Sequence, residues 1–145
     1  MKILGIDPGG TTGYALIQVQ DDEITPLKFD VTKDKLMLDM VPLLIEADVI
    51  VYENFLLRPD KARSGAFDWK SNTTEQVIGS LKTLAALHGK KNLVVQEPSQ
   101  KPMGYGFANM KYVPGKKGTH WQDAYAHAVF YAVTKLKANP VRPTA

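Results

Sequence analysis

The run Ile3-Leu4-Gly5-Ile6-Asp7 stays apolar until it ends in a carboxylate, and Pro8-Gly9-Gly10 follows at once. A strand running into a tight glycine turn has this form, because glycine reaches backbone angles that are closed to other residues. Tyr14 to Gln20 reads as the returning partner of a hairpin. After the polar turn Asp21-Asp22-Glu23, Ile24 to Val31 forms a third strand, and Pro26 inside it points to a sheet edge or a bulge.

The pattern then changes. Residues 33 to 47 carry apolar side chains at helical spacing (Leu36, Met40, Leu43 or Leu44, Ala47), with Pro42 kinking or restarting that helix. Val49 to Phe55 is a fourth strand, apolar on both faces until Glu53. Residues 56 to 71 lack periodicity and are expected as a loop. A helix follows from Asn72, which with Glu75 fits a capping box, and carries Val77, Leu81, Leu84 and His88 along one stripe before Gly89 stops it. Leu93 to Glu97 is a fifth strand ended by Pro98. Residues 99 to 118 are rich in glycine and proline and are expected to hold no regular structure for long. Thr119 and Gln122 form a second capping box, opening a last helix that runs to Asn139-Pro140. The order is β-β-β-α-β-α-β-α, an α/β chain with one domain over residues 1–138 and a flexible C-terminal tail over 139–145.

Length and composition narrow the function. At 145 residues the chain has room for one ordinary domain and none for a two-lobed architecture. It contains no cysteine, which excludes disulfides, thiolate zinc sites and cysteine nucleophiles and makes a reducing cytoplasm the default. A charge arrives before any signal-like apolar stretch can form, and no run approaches the ~18 residues of a membrane span, so a cytoplasmic protein with no membrane partner is expected. The formal net charge is +3, but residues 1–55 hold 4 Lys/Arg against 10 Asp/Glu, and residues 56–145 hold 14 against 5. Such asymmetry marks either a polyanion-binding half or a merely solvated basic face.

If strands 1 and 4 are neighbours, Asp7 and Glu53 lie together at their carboxyl ends, where open α/β sheets place ligands. Two carboxylates there repel one another and call for a positive charge between them, and hard divalent ions suit such oxygen-rich surroundings. The alternatives are structural: Asp7 could cap the glycine turn, and Glu53 could pair with Arg58. On the last helix, His120, Asp123 and His127 fall on one face. His120 and Asp123, at the helix start, could close the same site, or be an exposed first-turn residue and an acid favoured by the helix dipole. His127, among Ala126, Ala128 and Val129, reads as a packed, hydrogen-bonded histidine.

Gly5-Ile6-Asp7-Pro8-Gly9 with Thr12-Gly13, then Val51-Tyr52-Glu53, Gln76-x-x-Gly79 and His120-x-x-Asp123-Ala124 together resemble the RuvC-type Holliday junction resolvases, most of all their small bacteriophage branch. The resemblance spans nearly the whole chain. It implies an RNase H-like fold, a five-stranded mixed sheet flanked by helices with strand 1 central and strand 4 parallel beside it. It further implies a crossover junction endodeoxyribonuclease of DNA recombination and repair. Its catalytic metal ligands would be Asp7, Glu53, His120 and Asp123, the family holding Asp or His at the place of His120. Two Mg²⁺ ions, with Mn²⁺ as substitute, would serve phosphodiester hydrolysis and leave 5′-phosphate and 3′-hydroxyl ends. A two-fold junction cut symmetrically implies a homodimer acting on branched DNA in a bacterial or phage-infected cell. Glu97, ending strand 5, is a possible fifth acid, with a structural role the simpler reading.

Within this resemblance the basic half becomes a DNA contact. Lys101, Lys111, Lys116 and Lys117, interleaved with Tyr105, Phe107 and Tyr112, suit the phosphate backbone, and the resemblance, in which lysines of this stretch approach the phosphate near the metals, favours Lys116 and Lys117. The loop after strand 4 supplies Arg58, Lys61, Arg63 and Lys70 around Phe67 and Trp69, one of which could wedge into the junction centre or pack beneath the loop. Two rival readings remain. Asp7-Pro8-Gly9-Gly10-Thr11-Thr12-Gly13 also looks like the first phosphate loop of actin-like ATPases and sugar kinases, whose second lobe this chain has no room for. The other rival, a non-catalytic DNA-binding module of the same fold, would require a missing ligand.

Overall fold

The structure, a computed structural model, describes residues 1–55, 73–113 and 120–143. Arg58, Lys61, Arg63, Phe67, Trp69, Lys70, Asn72, Lys116, Lys117 and Thr119 lie outside the described residues.

Five strands form one sheet: β1 (Lys2–Asp7), β2 (Thr12–Gln20), β3 (Glu23–Thr32), β4 (Val49–Glu53) and β5 (Leu93–Gln96), in the order β3-β2-β1-β4-β5. β1 is central, antiparallel to β2 and parallel to β4, and β4 runs parallel to β5. The sheet is the mixed one expected. Ile3, Leu4 and Ile6 of β1 are wholly buried, which a strand achieves only with both faces covered. β3 is an edge strand, and its register against β2 shifts between Leu16 and Ile17, so the chain absorbs Pro26 at the edge and beside a bulge at once.

One face of the sheet packs Leu4, Ile6, Leu16, Ile50 and Tyr52 against Met37, Met40 and Leu44 and against helix α2 (Thr73–Leu87) through Val77 and Leu81. His88, expected on this stripe, is exposed, and Ala85 takes the buried place. The helix expected over 33–47 is instead a 3₁₀ turn, Leu38–Met40, followed by α1 (Val41–Glu46). Pro42 explains the division: lacking an N–H, it fits the first turn of α1 and would break the interior of a longer helix.

The other face packs Ile3, Ala15, Ile17, Val49 and Val51 against Ala124, Ala128, Val129 and Ala132 of α4 (His120–Lys135). This helix lies almost on the strands. A Cβ at Gly5 would come 2.1 Å from the Ala124 carbonyl oxygen, and one at Gly13 would come 2.1 Å from the His120 backbone. Glycine in β1 and β2 and alanine in α4 together permit that approach, and Phe29 of β3 stacks on Trp121 with ring centroids 4.3 Å apart.

Residues 99–118 contain regular structure after all. A 3₁₀ turn, Pro98–Gln100, leads into α3 (Lys101–Phe107). Pro102 sits in the first turn, where its missing N–H costs nothing, and Gly104 faces the Ala126 carbonyl oxygen, which a Cβ would approach to 2.4 Å. These residues serve helix starting and close packing rather than irregularity. α4 ends at Lys135, short of Asn139, with Lys137 in the left-handed conformation and the Ala138 N–H donating to the Ala132 carbonyl. The chain expected as the start of a flexible tail is held: Asn139 donates from its backbone to Asp22, and Val141 to Phe107. Among the described residues, no helix is long and apolar enough to cross a membrane.

Candidate active site

The parallel pairing of β1 and β4 aligns Ile6 with Tyr52, so the next residues, Asp7 and Glu53, emerge side by side at the carboxyl edge of the sheet. Each carboxyl group lies within electrostatic reach of the other. Burial, and then the neighbouring Glu53, push the Asp7 pKa well up. Burial would raise Glu53 as well, but His127, Asp7 and Lys101 outweigh it and hold Glu53 below the ordinary carboxylate range.

The first turn of α4 closes the site from above the sheet. His120 Nδ1 stands 3.3 Å from Asp7 Oδ2, with half of the imidazole exposed (50%). Asp123 accepts a hydrogen bond from the Tyr105 hydroxyl at 2.5 Å. Burial and then Asp123 raise the Tyr105 pKa, which keeps the phenol a donor. Lys101 Nζ completes the cluster, 3.2 Å from Glu53 Oε1 and 3.3 Å from Asp123 Oδ2. Burial alone would lower the Lys101 pKa, and Glu53, Asp123 and Asp7 reverse that and raise it.

All four acids and imidazoles singled out as ligands, Asp7, Glu53, His120 and Asp123, thus come together. Lys101, expected on a DNA-contacting loop, is instead the internal counter-ion of the cluster. Tyr105, expected among the DNA-contacting aromatics, is buried and orients Asp123. Lys101 and Tyr105 are four apart, a helical spacing that could have paired them had Pro102 and Gly104 not argued against a helix. Glu97 caps the 3₁₀ turn after β5 and accepts from Asn54, away from the ligand set. Lys111 and Tyr112 line a cavity of about 270 Å³ with Lys101, Tyr105, Gln122 and Asp123, and Tyr112 packs edge-on to Tyr105 at 5.2 Å between centroids.

The donor set suits a hard cation, being three carboxylates and one imidazole. Among the described residues no three His, Asp or Glu side chains are spaced as a finished metal cage. The Lys101 ammonium between Glu53 and Asp123 marks where the cluster accepts positive charge. The buried Glu53 Oε2 has no hydrogen-bond partner, so it is open to a donor.

The sheet order, with a helix packed across the strands, is that of an RNase H-like fold. The fold is shared with Holliday junction resolvases. RuvC of T. thermophilus, solved in complex with a Holliday junction substrate, is 18% identical, with a TM-score of 0.66 over 97% of this chain and 99% of that one. The Fowlpox virus resolvase, solved with substrate Holliday junction DNA, is 11% identical, with a TM-score of 0.57 over 94% of this chain and 99% of that one. No family model and no curated protein matches the sequence.

Proposed function

We propose that the protein is a structure-selective endonuclease that resolves Holliday junctions or other branched DNA by metal-dependent phosphodiester hydrolysis. The observation that carries this reading is the convergence of Asp7, Glu53, His120 and Asp123 at the carboxyl edge of a sheet whose fold is that of the resolvases. Asp7, Glu53 and Asp123 would hold two Mg²⁺ or Mn²⁺ ions, with His120 as a further ligand or proton carrier at the exposed rim. When bound, such ions supply Lewis-acid stabilisation of the phosphate and an activated water, leaving 5′-phosphate and 3′-hydroxyl ends.

The chain's own residues do the remaining work. Tyr105 holds Asp123 by one oxygen, leaving the other facing Lys101. The Lys101 ammonium neutralises the acids before substrate arrives, and it can turn toward a scissile phosphate once other cations satisfy Glu53 and Asp123. Lys111 and Tyr112 offer a backbone phosphate a charge and a base a stacking surface beside Asp123. Lys116 and Lys117 extend this strip in sequence, and Arg58, Lys61, Arg63, Phe67, Trp69 and Lys70 would contact the junction from the β4–α2 connection. Two symmetric nicks require two such sites, hence a homodimer, acting in the cytoplasm where the DNA lies.

Purified protein with Mg²⁺ should cut a synthetic four-way junction into nicked duplexes and leave linear duplex intact. Asp7→Asn should bind the junction without cutting it. Absence of cleavage on any branched DNA with Mg²⁺ or Mn²⁺ would overturn the reading.

A further inference from the structure

Behind the acid cluster lies a second polar line that the ligand set does not account for. His127 of α4 is wholly buried (0% exposed), unlike His120 two turns earlier on the same helix. Its Nδ1 stands 2.7 Å from the side-chain oxygen of Gln96, at the end of β5. The Gln96 amide can turn its NH2 to this nitrogen, and with the NH2 donating to Nδ1 the ring keeps its proton on Nε2, the atom able to donate to a carboxylate. The opposite ring atom, Nε2, points at Glu53 Oε2 from 3.5 Å. These two atoms are the buried side-chain polar atoms that lack a hydrogen-bond partner among the described residues, and they face each other. Register explains the arrangement: β4 and β5 pair Glu53 directly with Gln96, and α4 crosses above them, so one imidazole spans both strand ends.

Glu53 is therefore held from two sides. Oε1 faces the cleft and the Lys101 ammonium at 3.2 Å, and Oε2 faces inward to His127. A carboxylate able to rotate would exchange these oxygens and blur the geometry that a bound cation needs. We propose that His127, fixed by Gln96, is a positioning residue for Glu53: it anchors Oε2 inside the fold so that Oε1 is presented to the cation site. This rests on the nuclease reading for the purpose of the site, while the His127–Glu53 coupling stands on the geometry itself. Partners behind metal-binding side chains commonly act this way, and their loss weakens metal affinity or activity about 10- to 100-fold.

The test uses the full chain without DNA first. Mn²⁺ titrated calorimetrically into His127→Leu should bind about 10- to 100-fold more weakly than into wild type, and His127→Gln, whose amide can still donate to Glu53, should return toward wild type. With junction DNA, kcat should fall in His127→Leu and KM for the junction should hold. A simple packing role would lower the melting temperature without separating the Leu and Gln variants in Mn²⁺ affinity. Where His127→Leu does not fold, Gln96→Leu, which frees Nδ1, carries the same measurement. A double-mutant cycle between His127→Leu and Glu53→Ala, read by urea unfolding in EDTA, should be non-additive. Equal Mn²⁺ affinity in wild type and His127→Leu, or additive unfolding energies, would overturn the proposal. A wild-type protein that cuts no branched DNA would overturn the nuclease reading and leave the cycle to decide the coupling.

Discussion

Lys101 Nζ stands 3.2 Å from Glu53 Oε1, so the acid cluster contains a fixed positive charge supplied by the chain itself. The same ammonium reaches Asp123 Oδ2 at 3.3 Å, and it therefore ties the end of β4 to the start of α4 through α3. A lysine in that place offsets the repulsion among three carboxyl groups.

Removing this charge should expose the need for it. Lys101→Met should destabilise the metal-free protein by about 1–3 kcal/mol, because two partly buried carboxylates lose their partner. Mg²⁺ should then raise the melting temperature of the variant more than that of wild type, since a divalent ion replaces the missing charge. Thermal melts with EDTA and with Mg²⁺ check this, and an equal Mg²⁺ response in both proteins would contradict it. Cleavage should fall as well.

The Asp7–Glu53 pair sets a pH dependence. Asp7 is raised by burial and by Glu53, so its contribution to stability is complete below the ordinary carboxylate range and is lost as pH climbs toward the raised value. Glu53 is lowered, and its contribution is present above the ordinary range and lost only as pH falls through the lowered value. Across the interval above the ordinary range, metal-free protein should therefore lose stability with rising pH. Asp7→Asn, the variant expected to bind the junction without cutting it, should flatten that slope. Urea unfolding in EDTA from about pH 5 to about pH 9 measures it, and parallel slopes would refute it.

Gly13→Ala tests how closely α4 must lie. The added methyl would meet the His120 backbone at 2.1 Å, and backbone on both sides leaves nothing flexible to yield. Overpacking of this kind costs about 1–3 kcal/mol, and it should displace His120 along with the helix start. A lowered melting temperature accompanied by reduced cleavage is the expected result.

Lys111 is exposed at the rim of the cavity beside Asp123. Lys111→Ala should weaken junction binding without altering the folded stability, and the slope of log affinity against log salt should fall by about one. An unchanged slope would assign the lysine to solvent.

Much of the site was legible in sequence because strand periodicity and strand-end acids are local signals. Asp7 and Glu53 each close an apolar run, and His120 and Asp123 share a helix face by spacing alone. The sequence alone points Lys101 and Tyr105 toward DNA, because Pro102, Gly104 and Gly106 read as breakers. In the folded chain Pro102 begins a helix and Gly104 lets it touch α4. A glycine's reason, flexibility or close approach, is decided by what lies opposite it, and that neighbour is 22 residues away in sequence.

By itself the sequence determined the order of the five strands and of the helices other than α3, the acid at the end of each of two strands, the edge position of the proline strand and the paired residues opening the last helix. Each follows from contacts within a few residues, where side-chain alternation, capping and proline geometry act. Tertiary structure alone decided that Lys101 neutralises the acids, that Tyr105 orients Asp123, and that His127 stands behind Glu53 with Gln96 beyond it. Those relationships join β4, β5, α3 and α4, and they exist because burial brings charges together whose mutual energies have no local trace.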